Sequence, residues 1–241
     1  LYFDSMKVKN ARIHNRPGYN SEVHSTRDMG VDELQYQYAD YEVTDTIMIV
    51  GANPLETQTN LFLNHMVPGM RNGARFIMVD PRRSVTVNAA EEVAGAENVL
   101  HLAIDPGSDM VLFNALFTYI ADQGWTDSEF IKNSTFQGGE ATPEDAAHPS
   151  GLGSLDYALA TCRTSTAEAA EICKMDEADI IKAAEWIAKP KEDGSRRKCV
   201  TGYEKGIIWG NDNYRTIGAL LNISLATGNV GREGGGCCRL G

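Results

Sequence analysis

Basic residues are the scarce class in this chain: 22 Lys and Arg stand against 33 Asp and Glu, a formal net charge of −11 over 241 residues. Neutralising nucleic-acid phosphates requires clustered Lys and Arg, so this balance excludes a nucleic-acid-binding module. Long apolar runs are also missing, which excludes a membrane-spanning helix within these residues. The five cysteines, Cys162, Cys173, Cys199, Cys237 and Cys238, include no C-x-x-C pair. Neither a zinc site nor an iron–sulfur loop is therefore encoded here. Buried free thiols are the expectation instead. No G-x-G-x-x-G or Walker A pattern occurs, so NAD and ATP find little support. The first residues, Leu1 to Met6, lack the basic-then-apolar layout of a signal peptide and read as strand. With no initiator Met, and a C-terminus just beyond a glycine-rich turn, the chain is expected to be an internal piece of a longer protein.

What is present alternates between short apolar runs and helical periods. Thr46 to Val50 is a β-branched and apolar run ended by Gly51-Ala52-Asn53-Pro54. Thr57 to Met70 follows with apolar residues near a 3.6 period, closed by Asn72-Gly73. Arg75 to Val79 and Asn98 to Ile104 are two further runs of the same kind, the latter leading into a helix from Met110 to Asp122. After a polar excursion from Phe136 to Gly153, helices are predicted at Ser165–Cys173, Asp176–Lys189 and Asn213–Thr227, with a strand at Cys199–Gly202 between the last two. Gly228-Asn229 reads as the C-cap of the last helix. Strands apolar on both faces and separated by helices predict an α/β fold, a parallel sheet flanked by helices.

In such sheets ligands bind beyond the carboxyl ends of the strands. Three loops there carry small and polar groups: Gly51 to Thr57 with Asn53, Asp80-Pro81-Arg82-Arg83-Ser84, and Pro106-Gly107-Ser108-Asp109. Glycine admits a phosphate close to the backbone, and the following helix N-terminus favours its charge. A strand-end Asp accepts the paired N–H donors of a guanine or a ribose hydroxyl. Each loop alone also suits a plain connection. Three in succession point to a dinucleotide site.

The series Gly51-Ala52-Asn53, Val79-Asp80-Pro81-Arg82-Arg83 and Pro106-Gly107-Ser108-Asp109, with the late block Leu221 to Arg232 and Gly234-Gly235-Gly236, resembles the large molybdenum enzymes that carry two molybdopterin guanine dinucleotides. Within that superfamily, Arg12 to His24 and Gly202 to Thr216 are similar to arsenite oxidase large subunits. The resemblance covers essentially the whole chain. It implies Rossmann-like molybdopterin dinucleotide-binding domains: residues 1–13 would end one, 14–197 an inserted α/β guanine-dinucleotide-binding domain, and 198–241 a return to the first. It implies molybdenum and bis-molybdopterin guanine dinucleotide as cofactors. Their contacts would come from the three loops and from Gly202, Lys205, Gly206, Asn211 and Asn213.

For the substrate, the resemblance matches His14, Glu22 and Arg239 to the arsenite-binding residues of that family; a second His would follow four residues beyond Arg239, past the end of these residues. Gly18 falls where sister families supply a Cys, selenocysteine, Ser or Asp ligand to the metal, so the protein would give the metal no ligand there. His24, Asp28 and Glu33 lie near the same loop and are alternatives to Glu22. His14 also suits a satisfied polar turn, Glu22 a solvated carboxylate and Arg239 a surface charge. His65, His101 and His148 read as structural or surface residues. The expected activity is oxidation of arsenite to arsenate, with electrons passed to an iron–sulfur cluster whose ligands lie outside this chain. A small Rieske subunit, a periplasmic cytochrome c or copper protein as acceptor, and a periplasmic location come with the resemblance. Sister oxyanion enzymes of arsenate, nitrate or formate type, or an inactive cofactor-binding piece, are the alternatives. By itself the fragment is expected to be inactive, because a two-pterin site needs walls from further domains.

Overall fold

The computed structural model describes residues 7, 25–26, 29–31, 35–135 and 155–240. Five strands, β1 Thr46–Val50, β2 Arg75–Val79, β3 Val99–Leu102, β4 Cys199–Tyr203 and β5 Gly236–Arg239, form one sheet in the order β3-β2-β1-β4-β5. Every pairing is parallel, and β1 pairs residue for residue with β2 on one side and β4 on the other. The α/β reading, with a parallel sheet flanked by helices, holds. β1 and β4 are buried at all five positions, as a strand covered on both faces must be.

Strand periodicity divides the core in two. Ile47, Ile49, Phe76, Met78 and Val200 face one layer, with Leu61, Phe62, Met66, Met70 and Val87. Met48, Val50, Ile77, Val79, Leu100 and Leu102 face the other. The first layer is built from the crossover between β1 and β2 and from helix α1, Val85–Ala94, between β2 and β3. The second holds helices α2 Asp109–Asp122, α3 Thr166–Cys173, α4 Glu177–Ala188 and α5 Asn213–Ala226. Connections thus change face between β3 and β4, while β1 and β4 lie side by side. That makes the β1/β4 boundary a topological switch point.

Several boundaries move from expectation. The helix predicted over Thr57–Met70 begins earlier, at Pro54, and is interrupted: Pro54–Thr57, Thr59–Leu61, a π-helical stretch Phe62–Met66 and Val67–Arg71. Pro68 has no backbone N–H to give to the residue four before it, so a π stretch just ahead of it absorbs the defect. Ser165 and Asp176 cap α3 and α4 by accepting from Glu168 N–H and Ala178 N–H. The helices α1, Ser128–Ser134 and Leu155–Cys162, and the strand β5, were not anticipated. The thiols fit the buried-thiol expectation: Cys173, Cys199, Cys237 and Cys238 are buried and Cys162 is half-buried, and burial pushes the Cys199 thiol up to about 12. Residues on both sides of 197/198 contribute to one sheet, since β4 pairs along all of β1. Leu1–Met6 and Phe136–Gly153 lie outside the described residues.

Candidate functional site at the carboxyl edge of the sheet

All five strands are parallel, so their carboxyl ends converge on one edge. At the switch point the loops after β1 and β4 touch through their backbones. Gly206 N–H donates to Gly51 O at 2.9 Å, and a Cβ on Gly206 would stand 2.5 Å from Gly51 Cα. Gly51 also has φ +58°, which a side chain would strain. Neither position admits any other residue without moving main chain. The two glycines let the main chains after β1 and β4 pack directly against each other.

The loop after β1 is fixed from the next crossover. Thr86 Oγ1, buried on α1, donates to Asn53 Oδ1 at 2.6 Å and accepts from Leu55 N–H at 3.1 Å. Asn53 also bonds Glu56, and Thr57 Oγ1 donates to Asn53 O at 3.0 Å. After β2, Asp80 accepts from Arg82 N–H at 2.8 Å in an Asx turn, and its carbonyl meets His101 Nε2 at 2.9 Å. Pro81 and Arg82 are exposed. After β3, Gly107 turns with φ +90° in open space and Asp109 begins α2. Burial raises the Asp109 carboxyl above the usual carboxylate range, and the nearby Asp80 charge adds to it; N–H groups of Asp109 and Gly107 oppose the shift. Two carboxylates thus stand together at the β2 and β3 ends, able to accept paired donors.

The structure separates the remaining expected residues. Gly202 lies inside β4, where a Cβ would meet Leu240 Cδ2 at 2.6 Å and the Tyr41 hydroxyl at 2.7 Å; its smallness serves packing. Asn213 is committed to its own helix start, donating to Ile208 O at 2.5 Å and accepting from Tyr214 N–H at 2.7 Å. Asn211 is exposed on the loop before it. Lys205 and Arg239 come together around a residue that the sequence reading passed over, Glu204. Lys205 Nζ stands 2.9 Å and Arg239 Nε 3.7 Å from Glu204 Oε1. Arg239, read as a possible surface charge, is buried at 8% exposure. Thr86 and His101 carried no motif, and Glu204, though inside the Gly202–Thr216 block of the resemblance, was given no role by it. His14, Gly18 and Glu22 lie outside the described residues, as do His24, Asp28, Glu33 and His148. His65 pairs with Glu42 at 2.7 Å.

Glycine contact at a switch point, acceptors on neighbouring strand ends and a doubly wound parallel sheet define an α/β protein of the class whose ligands bind at the carboxyl edge of the sheet. The family follows from comparison with known proteins. A molybdopterin oxidoreductase model matches residues 8–240, and the chain belongs to that family. It is 42% identical over its whole length to the arsenite oxidase subunit AioA of Herminiimonas arsenicoxydans, spanning 29% of that protein. Against the iodate reductase subunit IdrA of Denitromonas iodatirespirans it is 31% identical over 92% of the chain and 26% of the relative. The chain therefore spans under a third of these curated relatives. Acetylene hydratase from Pelobacter acetylenicus shares the fold, with TM-score 0.58 at 18% identity, over 88% of this chain and 24% of that one.

The family implies a molybdenum–molybdopterin cofactor, and the residues present fit one. Gly107 turns in open space beside Asp109, Asp80 and Asp109 offer acceptors, and both buried oxygens of Glu204 accept no hydrogen bond among the described residues.

Proposed function

We propose that the chain belongs to the catalytic subunit of an arsenite oxidase, which converts arsenite to arsenate. The supporting observation is the 42% identity to an arsenite oxidase subunit across every residue, against 31% over a shorter span for an iodate reductase subunit. When bound, a bis-molybdopterin guanine dinucleotide molybdenum centre would supply the oxygen-atom transfer and take up two electrons. The loops at Gly51–Thr57, Asp80–Arg82 and Gly107–Asp109, with Lys205 and Gly206, would hold its dinucleotide.

Arsenite near neutral pH is an uncharged trihydroxide, so its recognition needs directed donors and acceptors rather than one strong charge. His14 and Glu22 would hydrogen-bond its hydroxyls, and either accepts a proton as the product acid forms. Arg239, fixed at the end of β5 beside Glu204, would stabilise the negative charge that develops. Gly18 offers no side chain to a metal. The same reading gives the parent an iron–sulfur cluster, a small Rieske subunit, a periplasmic cytochrome c or copper protein as acceptor, and a periplasmic location.

The test is arsenite-dependent reduction of a dye acceptor by the purified full-length parent, beside His14→Ala and Glu22→Ala. Turnover that falls about a hundredfold or more in both variants at unchanged molybdenum content is expected. A molybdenum-loaded parent that ignores arsenite but turns over iodate, nitrate or formate would reassign the substrate.

A further inference from the structure

The Glu204 carboxylate is a feature of the carboxyl edge whose chemistry is unfinished. It follows β4 directly, with its N–H donating to Val50 O at 3.1 Å, so it sits on the switch point beside the Gly51–Gly206 contact. The residue is 4% exposed, and both carboxylate oxygens are hidden without a hydrogen bond among the described residues. Two cations are near, but both approach Oε1. Lys205 Nζ at 2.9 Å lacks hydrogen-bond alignment, and Arg239 Nε at 3.7 Å is beyond that length. Oε2 likewise accepts no hydrogen bond among the described residues. A buried carboxylate in this condition is costly unless something donates to it.

The surroundings select the donor. Lys205 and Arg239 already stand beside the carboxylate, which disfavours a metal cation, while the carboxylate repels an oxyanion. A neutral ring edge bearing two adjacent N–H donors matches the two oxygens. The 2-amino-4-oxopyrimidine edge is such a donor pair, and it is common to pterin and guanine. We propose that Glu204 anchors the cofactor by accepting the paired N–H donors of this edge across both carboxylate oxygens. The assignment rests on the reading that the parent carries a molybdopterin dinucleotide. The role is binding and positioning, with Lys205 and Arg239 standing beside the carboxylate.

The isosteric Glu204→Gln change in the full-length parent tests this, because Gln offers one acceptor and one clashing donor in place of two acceptors. Two quantities are read: the rate at which molybdenum and acid-released guanine nucleotide leave the holoprotein in sub-denaturing urea, and the melting temperature of cofactor-free parent made in a molybdopterin-deficient host. The expected result is release faster by roughly tenfold or more with the cofactor-free melting temperature unchanged or raised. Unchanged release overturns the proposal. A lower melting temperature of the cofactor-free variant also overturns it, making Glu204 a strut for Arg239. A parent that purifies without molybdopterin defeats the cofactor reading itself, a separate outcome. Loading in cells unable to attach the nucleotide separates the rings: faster loss of nucleotide-free cofactor assigns the contact to a pterin, and acceleration of the dinucleotide alone assigns it to guanine.

Discussion

Single residues at the carboxyl edge carry conflicting demands, and Asp109 shows the conflict most directly. It opens α2 where N–H groups of Asp109 and Gly107 favour its charge, yet burial outweighs them and raises its carboxyl, with Asp80 adding repulsion. A folded-state value above the ordinary 3.8 means that the folded protein holds this proton more tightly than the unfolded chain. Stability is then lost as pH rises from 3.8 through the raised value, and the deficit persists at neutral pH. Cofactor-free parent carrying Asp109→Asn should therefore melt higher than the unsubstituted form at pH 7, with the gain disappearing near pH 4. A gain that survived at low pH would point to packing rather than charge. The same substitution should loosen the dinucleotide, since an amide cannot replace a carboxylate facing two donors. At this scale the sequence was partly legible. Asp80 and Asp109 were readable because each follows an apolar run, and Gly51 and Gly206 because glycines stand out. That the two glycines touch each other was not readable, since 155 positions of chain separate Gly51 from Gly206. Glu204 was invisible for the same reason: nothing local distinguishes it from a solvated glutamate, and its burial comes from strands that pack on it from elsewhere.

Elements were legible wherever they were long and apolar. β1, β2 and β3 announced themselves as β-branched and apolar runs ended by Gly, Asn or Asp, and α2 and α5 as apolar periods. β5 was missed because Gly236-Cys237-Cys238-Arg239 begins with glycine and ends with arginine, so it reads as a turn until β4 is there to pair with it. Its neighbour β4 depends on a side chain in another element. Asn229, 1% exposed in the turn after α5, accepts from Cys199 N–H at 3.1 Å and donates to Thr227 Oγ1 at 2.9 Å. The first amide of β4 is thereby satisfied from the turn that leads toward β5, which couples the two ends of that crossover. Asn229→Ala leaves a buried donor on Cys199 without its acceptor, at a cost of about 1–3 kcal/mol. Urea unfolding should show a lower midpoint with an unchanged slope, and a loss below 0.5 kcal/mol would mean that the turn reaches Cys199 by another acceptor.

Across the whole molecule, the change of face between β3 and β4 is what places a ligand site. The two sides of the crevice come from segments on either side of that change: the loop after β1, tied to α1 through Thr86, and the loop after β4, which leads to α5. The hydrogen bonds Glu204 N–H to Val50 O and Gly206 N–H to Gly51 O, with the glycine contact, join the two sides. A bound dinucleotide that touches both would add contacts across the joint, and by linkage it stabilises the folded form alone, by about 2.7 kcal/mol at a hundred times its dissociation constant. The central strands need no such help, since β1, β2 and β4 are buried between two helical layers whatever occupies the edge. Removing the cofactor from the parent should therefore act unevenly. Amide exchange should accelerate at residues 51–57 and 204–210, while the strand amides of 46–50 and 75–79 keep their protection. Uniform acceleration through the strands would mean that the sheet is assembled only around the cofactor, and no change at 51–57 or 204–210 would mean that the ligand binds away from the switch point.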